Sequence, residues 1–416
     1  MEHSLMHTLK NLRGNPRACV YTEPLWGLSM NLCLPYASVF MLGVGLNDVQ
    51  VGITASIYMF SQMVCSLLSG VIIDKIGRRL STAVFDVLAW SIPCLIWASS
   101  QGFWFFAGAA LLNGVMRAAN VSWGCLLVED AEKDKVSHIY SWVLICGNLS
   151  ALFAPISSLL VSRLTLVPAV RILYINAFVV MTAKILILYH YSSETKQGEV
   201  RINETRGQGI FALLGGYKSV MRQIARSRAM FFAILSYALI EIVSMINSTF
   251  WQITASKHIG VPDQWLALFP MLRSIISIVL FFAVISRINQ AKLKLPMAAG
   301  YIASFIGCVI MVLMPKDSAA YIWLVISILF DSLGMAVLGT LRETLAALSS
   351  DPRERSRIMA ILNTVVMMVS MPFGYIGGLL SEVSRVLPFV LNMCLLTFGI
   401  TAALIYFRKN AAVYEK

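Results

Sequence analysis

Glu23, Arg117, Glu241 and Asp331 are ionisable residues set inside long apolar stretches of the chain. A charge near the centre of a bilayer costs roughly 2.5–3.5 kcal/mol on insertion scales, so its presence there points to binding or to charge movement. A carboxyl group in such a place can take up and release protons, and an arginine can pair with a carboxylate. Three acids against one base would leave a shared pocket negative. Each residue also has a structural reading. Glu23 stands between Thr22 and Pro24, as a first-turn residue beside a helix cap would, and Arg117 could pair with a carboxylate to hold two helices together. Lys184 is expected to snorkel towards the cytoplasm, and Arg273 to reach the external surface. Asn31, Asn148, Asn247, Asn363 and Trp123 are further candidates for a polar wall, or for glue between helices.

The elements that position these residues follow from composition. Of 416 residues, 58% are hydrophobic and 13% charged, against about 25% charged in a soluble domain. That much apolar surface needs lipid as its solvent. A bilayer core takes about 20 apolar residues in a helix, and backbone groups within lipid must be satisfied internally. The chain offers twelve such runs: 18–42, 49–72, 80–99, 102–127, 137–161, 169–190, 228–254, 264–286, 295–314, 319–341, 357–381 and 386–407. The four charged residues fall in runs one, four, seven and ten.

Segment 191–227 divides the spans six and six. This gives an N-terminal bundle over 1–190, a linker, and a C-terminal bundle over 228–416. The linker opens on SSETKQGEVRINETRGQG, which reads as flexible. It continues with Ile210, Leu213, Leu214, Tyr217, Met221 and Ile224 at helical spacing, as in an amphipathic helix lying on a membrane surface. Of the 33 Lys and Arg residues, Arg163, Arg171, Lys257, Lys316 and Arg385 fall in external segments if both termini are cytoplasmic. Arg117, Lys184 and Arg273 lie within spans, and the rest are cytoplasmic. That bias predicts a multi-pass protein of the cell membrane with both ends inside.

Between runs two and three the chain reads GVIIDKIGRR, residues 70–79. Gly70, Asp74, Lys75, Gly77, Arg78 and Arg79 fit the pattern G-x-x-x-D-[RK]-x-G-[RK]-[RK], with a glycine for the tight turn and basic residues that anchor the loop. With twelve spans, the six-six division and faint echoes between the halves (Asn47-Asp48 against Pro262-Asp263, Pro155 against Pro372), the chain resembles the major facilitator superfamily. The resemblance implies an all-α membrane protein of two pseudo-symmetric six-helix bundles. It implies a cavity lined by spans one, four, seven and ten, and alternating access. In that family the motif aspartate braces the two halves near the start of span eleven, which carries over as Asp74 close to Ser356 and Arg357. The matching loop of the second half, VISRINQAKLK, has Ser286 and Asn289 where the motif has aspartate and glycine.

The family's drug/proton antiporters carry G-P-x-x-G-G in span five. Here Ala154-Pro155-Ile156-Ser157-Ser158-Leu159 keeps the proline and loses every glycine. The expected function is therefore secondary transport of a small organic solute, proton-coupled through Asp331 or Glu241, with a slight preference for efflux of cationic or amphipathic compounds. Sugar or other nutrient uptake is the alternative. A lipid-handling or sensor protein on the same fold is the alternative from another class. The expected partners are the solute, protons and membrane lipid, with the chain a monomer. Basic residues scattered through short loops argue against nucleic acid. Cys19, Cys33, Cys65, Cys94, Cys125, Cys146, Cys308 and Cys394 all sit in apolar runs without metal-like spacing. No cofactor, metal or enzymatic activity is expected.

Overall fold

The computed structural model describes residues 5–132, 135–207, 209, 228–283, 294–315, 320–348 and 355–409. Among these, twelve helices are long and apolar enough to cross a membrane, the expected number. Spans one to six are Gly14–Gly43, Asp48–Ile76, Arg78–Ser99, Phe103–Val128, Val136–Leu164 and Leu166–Tyr191. Spans seven to twelve are Met230–Ile259, Asp263–Leu280, Leu295–Val312, Ala320–Arg342, Ile361–Val383 and Leu387–Arg408. The expected amphipathic helix at 210–227 and the loop with Ser286 and Asn289 lie outside the described residues, as do the side chains of Ser356 and Arg357. The chain forms two compact units. Unit 1 comprises residues 1–44 and 57–216, and unit 2 comprises 45–56 and 217–416. Span two is thus shared, its first turns belonging to unit 2.

In unit 1 the motif loop is a network of charges. Gly77 has φ +88, a conformation glycine adopts without strain, and its N–H closes span two on the Ile73 carbonyl at 2.9 Å. Arg78 Nη1 lies 3.0 Å from Asp74 Oδ1, its Nε donates to Glu129 at 3.1 Å, and Asp74 also receives Arg201 at 3.4 Å. The N–H groups of Arg78 and Arg79, which open span three, donate to the two carboxylate oxygens of Glu194 at 2.8 and 3.0 Å. A Cβ on Gly77 would meet Glu194 Oε2 at 2.5 Å, so only glycine admits this approach. Among the described residues, the partners of Asp74 are Arg78 and Arg201 of unit 1.

The polar start of the linker is a helix rather than a flexible segment. Lys196–Glu204 is helical, the Thr195 side chain accepts from the Gly198 N–H as N-cap, and Glu199 lies in the first turn. Arg201 ties this helix to Asp74, and Thr205 Oγ1 donates to the Asp74 carbonyl. Glu194→Ala removes the acceptor at the first turn of span three. It is expected to lower stability by about 0.5–2 kcal/mol, the range for a lost cap, read as an earlier thermal transition in detergent. An unchanged transition would contradict the capping role.

In unit 2 small residues let helices approach at backbone distance, the packing expected where lipid offers no hydrophobic drive between helices. Gly52 and Ser56 of span two face Gly374 and Gly378 of span eleven. A Cβ on Gly52 would lie 2.3 Å from the Gly374 carbonyl oxygen, and Ser56 Oγ donates to the Met371 carbonyl at 2.7 Å. Asp48 closes the same contact. Ser381 Oγ donates to it at 2.6 Å, and Arg385 Nη2 lies 3.3 Å away. Gly52→Ala must push the two helices apart, and overpacking of this kind costs about 1–3 kcal/mol. A thermal transition as high as wild type would contradict the close approach.

Candidate functional site

Spans seven and ten of unit 2 carry the site. On span seven, Glu241, Ser244, Asn247, Ser248 and Trp251 recur at helical intervals of three and four, so they share one face. On span ten, Ile328, Asp331 and Met335 do the same, and Arg342 follows two turns on. Spans nine and ten interlock through Gly300, Ser304, Gly307 and Gly334. A Cβ on Gly307 would sit 3.1 Å from the Asp331 backbone nitrogen, and Ser327 Oγ donates to the Gly307 carbonyl at 2.9 Å. This tight backbone contact fixes where the Asp331 carboxylate starts from.

The carboxylate ends in a chain of polar groups from four spans. Asn392 Nδ2 donates to Asn247 Oδ1 at 2.9 Å, and Asn247 Nδ2 donates to Asp331 Oδ1 at 3.0 Å. Arg273 Nη1 from span eight lies 2.8 Å from Asp331 Oδ2. The two ends of this ion pair differ in exposure: the Asp331 side chain is 8% exposed and that of Arg273 36%. Asp331 lies in a niche of about 10 Å³ with Cys308, Ser327 and Phe389, room for a single water. Arg273 lines an adjoining cavity of about 320 Å³, with Ser244, Ser248, Gln252 and Phe269 among its walls and Asn247 and Trp251 bordering both spaces. The larger cavity therefore meets the arginine first, with the aspartate behind it.

Arg273 is the residue of this cluster that sequence reasoning set aside. It does not simply reach the surface: it is the counter-ion of Asp331. Glu241 stands roughly 9 Å from Asn247 along span seven at 1.5 Å per residue, and forms a second rung. Arg342 Nη1 lies 3.4 Å from its Oε2, and the guanidinium sits 4.7 Å over the Tyr237 ring. Each candidate acid of unit 2 is thus matched by an arginine, and the surplus of negative charge expected from the sequence is absent from this unit.

Glu23 and Arg117 belong to unit 1. Glu23 is partly exposed on span one, within electrostatic reach of a pair that the sequence did not suggest. Lys184 Nζ lies 2.6 Å from Asp86 Oδ2, and both side chains are about 95% buried, at 4% and 5% exposure. Lys184 therefore does not snorkel, because a buried carboxylate from span three meets it. Arg117 follows a break in span four at Gly114, where a Cβ would lie 2.2 Å from Ser61 Cβ. Asn31 reaches from span one to the Gly147 carbonyl at 3.4 Å, the interhelical role expected of such residues.

A sequence profile described as Major Facilitator Superfamily matches residues 25–374. The chain belongs to the major facilitator superfamily. Solved structures of the superfamily's fold resemble it over nearly its full length. The nucleoside transporter NupG is 14% identical, with 95% of this chain and 98% of that one covered and a TM-score of 0.70. A POT family transporter in complex with a thioalcohol-conjugated peptide is 12% identical, with 98% and 99% covered and a TM-score of 0.71. The human organic anion transporter MFSD10 (TETRAN) is 14% identical, with 93% and 98% covered and a TM-score of 0.64. At these identities the likeness is one of fold. No curated protein sequence matches the chain. The superfamily fold, twelve helices in two pseudo-symmetric bundles, makes the chain a multi-pass membrane protein of a transporter family.

Proposed function

We propose that this superfamily member is a secondary active transporter. It binds a small organic solute at the unit 2 cavity, exposes it to each side of the membrane in turn, and couples the movement to protons through Asp331. One observation carries the reading: Arg273 faces the cavity while its carboxylate partner sits behind it, 2.8 Å away. A proton on Asp331 removes the charge that offsets Arg273 and so changes what the cavity binds. By linkage, whatever binds at Arg273 changes the proton affinity of Asp331 by the same factor. The groups facing Asp331 are Arg273 from span eight, Cys308 from span nine and Asn247 from span seven.

Glu241, held by Arg342, is proposed as a second proton-binding or solute-binding group on the same face, with Glu23 and Arg117 as the corresponding groups of unit 1. The bundles 1–190 and 228–416 are proposed as the moving bodies, with 191–227 as the linker. Gly70, Asp74, Lys75, Gly77, Arg78 and Arg79 are proposed as the gating motif. Efflux of cations loses its support, because it rested on unpaired acids, and the two candidate acids of unit 2, Glu241 and Asp331, are each paired with an arginine.

The test is the full chain in proteoliposomes loaded with a pH dye and offered nucleosides, dipeptides and aromatic carboxylates in turn. At least one class should drive a proton movement absent from protein-free vesicles. No proton movement with any class would overturn the reading.

A further inference from the structure

We infer that the unit 2 cavity accepts a solute carrying a carboxylate, or a comparable acidic group, next to an aromatic ring, and that this anion moves in the same direction as the proton. The inference rests on the transporter reading above and adds the class of solute. Arg273 presents a planar fork of five N–H donors, which matches a carboxylate in two-point geometry. One arm of the fork stands 2.8 Å from Asp331, which borders the adjoining niche and not the cavity itself. The face towards the cavity is left with donors for a second acceptor.

The walls specify the rest of the solute. Trp251 and Phe269 stand edge to face, 5.0 Å between centroids, and Ile328 and Met335 extend the apolar surface. Gln252 lines the same space, and its buried Oε1 has no hydrogen-bond partner among the described residues. That acceptor calls for an N–H or O–H on the solute. At about 320 Å³ the space lies at the small end of ligand pockets. A cationic solute would meet Arg273 first and find the carboxylate screened behind it, so cation exchange for a proton does not fit. An anion does. Protonating Asp331 leaves Arg273 with an unopposed positive charge, which favours the anion, and the bound anion in turn favours the proton. The two ligands assist one another and so travel together.

The experiment is binding of three probes to the purified full-length protein, followed by calorimetry and tryptophan fluorescence: 3-(4-hydroxyphenyl)propionate, its amide, and 2-(4-hydroxyphenyl)ethylamine, each with the same phenolic O–H for Gln252. The carboxylate should bind, and the amide and the amine should bind weakly or not at all. Arg273→Gln should weaken the carboxylate about ten- to hundredfold, the scale of a hydrogen bond to a charged group. Arg273→Lys should recover part of that loss, since it keeps the charge without the fork. Asp331→Asn should tighten the carboxylate roughly tenfold at neutral pH, the effect of removing one nearby opposing charge, and leave the amide unchanged. A merely structural role for the pair would weaken binding in both variants. The inference is overturned if the amine binds best, if none of the three binds, or if Asp331→Asn weakens the carboxylate. Should Arg273→Gln fail to fold, the sign of the Asp331→Asn effect decides. Carboxylate binding without proton movement in vesicles would leave the solute class standing and remove the coupling. Proton movement driven by another class of solute would do the reverse.

Discussion

Asp331→Asn is expected to abolish gradient-driven accumulation of the transported solute while leaving exchange of solute across the membrane. One proton per solute under a gradient of two pH units can support about hundredfold accumulation, because each unit is worth about 1.4 kcal/mol. The variant should bring that ratio down to about one. Asparagine keeps the size of the side chain and can still meet Asn247, which lies 3.0 Å from the carboxylate, so the helices retain their contact. The carrier lacks only the group that takes the proton. Exchange needs no net proton transfer and should persist. Loss of both accumulation and exchange would instead make Asp331 a structural residue.

The second large effect belongs to unit 1. Lys184→Met leaves Asp86 as a buried carboxylate without the ammonium now 2.6 Å away. Breaking a buried pair from one side costs about 3–5 kcal/mol, whereas replacing both partners by apolar groups is often neutral. The single variant should therefore lose much of its thermal stability in detergent, and the double variant Asp86→Leu with Lys184→Met should regain most of it. The rescue separates an ion pair from a packing defect. A single variant as stable as wild type, or a double variant worse than the single one, would contradict this account of the pair.

The architecture was legible because apolar run length is a direct physical requirement of the bilayer, and twelve runs leave few other folds. Asp331 was legible for a related reason, since a charge inside such a run needs a cause. Its partner was not. Arg273 lies 58 positions away in sequence, and one chain read alone does not say that spans eight and ten meet. Arg273 stands well inside its run, 264–286, and the reach of an arginine side chain to the external surface accounted for it without a partner. Lys184 was misread in the same way, and Asp86 passed unnoticed although the cost of a buried charge applied equally to it. The helix at Lys196–Glu204 was hidden by polar composition, yet Thr195 as cap and Glu199 in the first turn are the ordinary signals of a helix start. The motif loop was recognised by pattern, but the pattern did not name Glu194, whose two oxygens hold the first turn of span three.

The most direct measurement is the sign of proton movement when solute alone is supplied outside proteoliposomes that start with equal pH on both sides. The solute should be the one that drives proton movement in the wild-type protein, with protein-free vesicles and Asp331→Asn as controls. The account predicts that the interior acidifies as solute enters, by an amount absent from both controls. An interior that turns alkaline, or acidification that Asp331→Asn preserves in full, would contradict it.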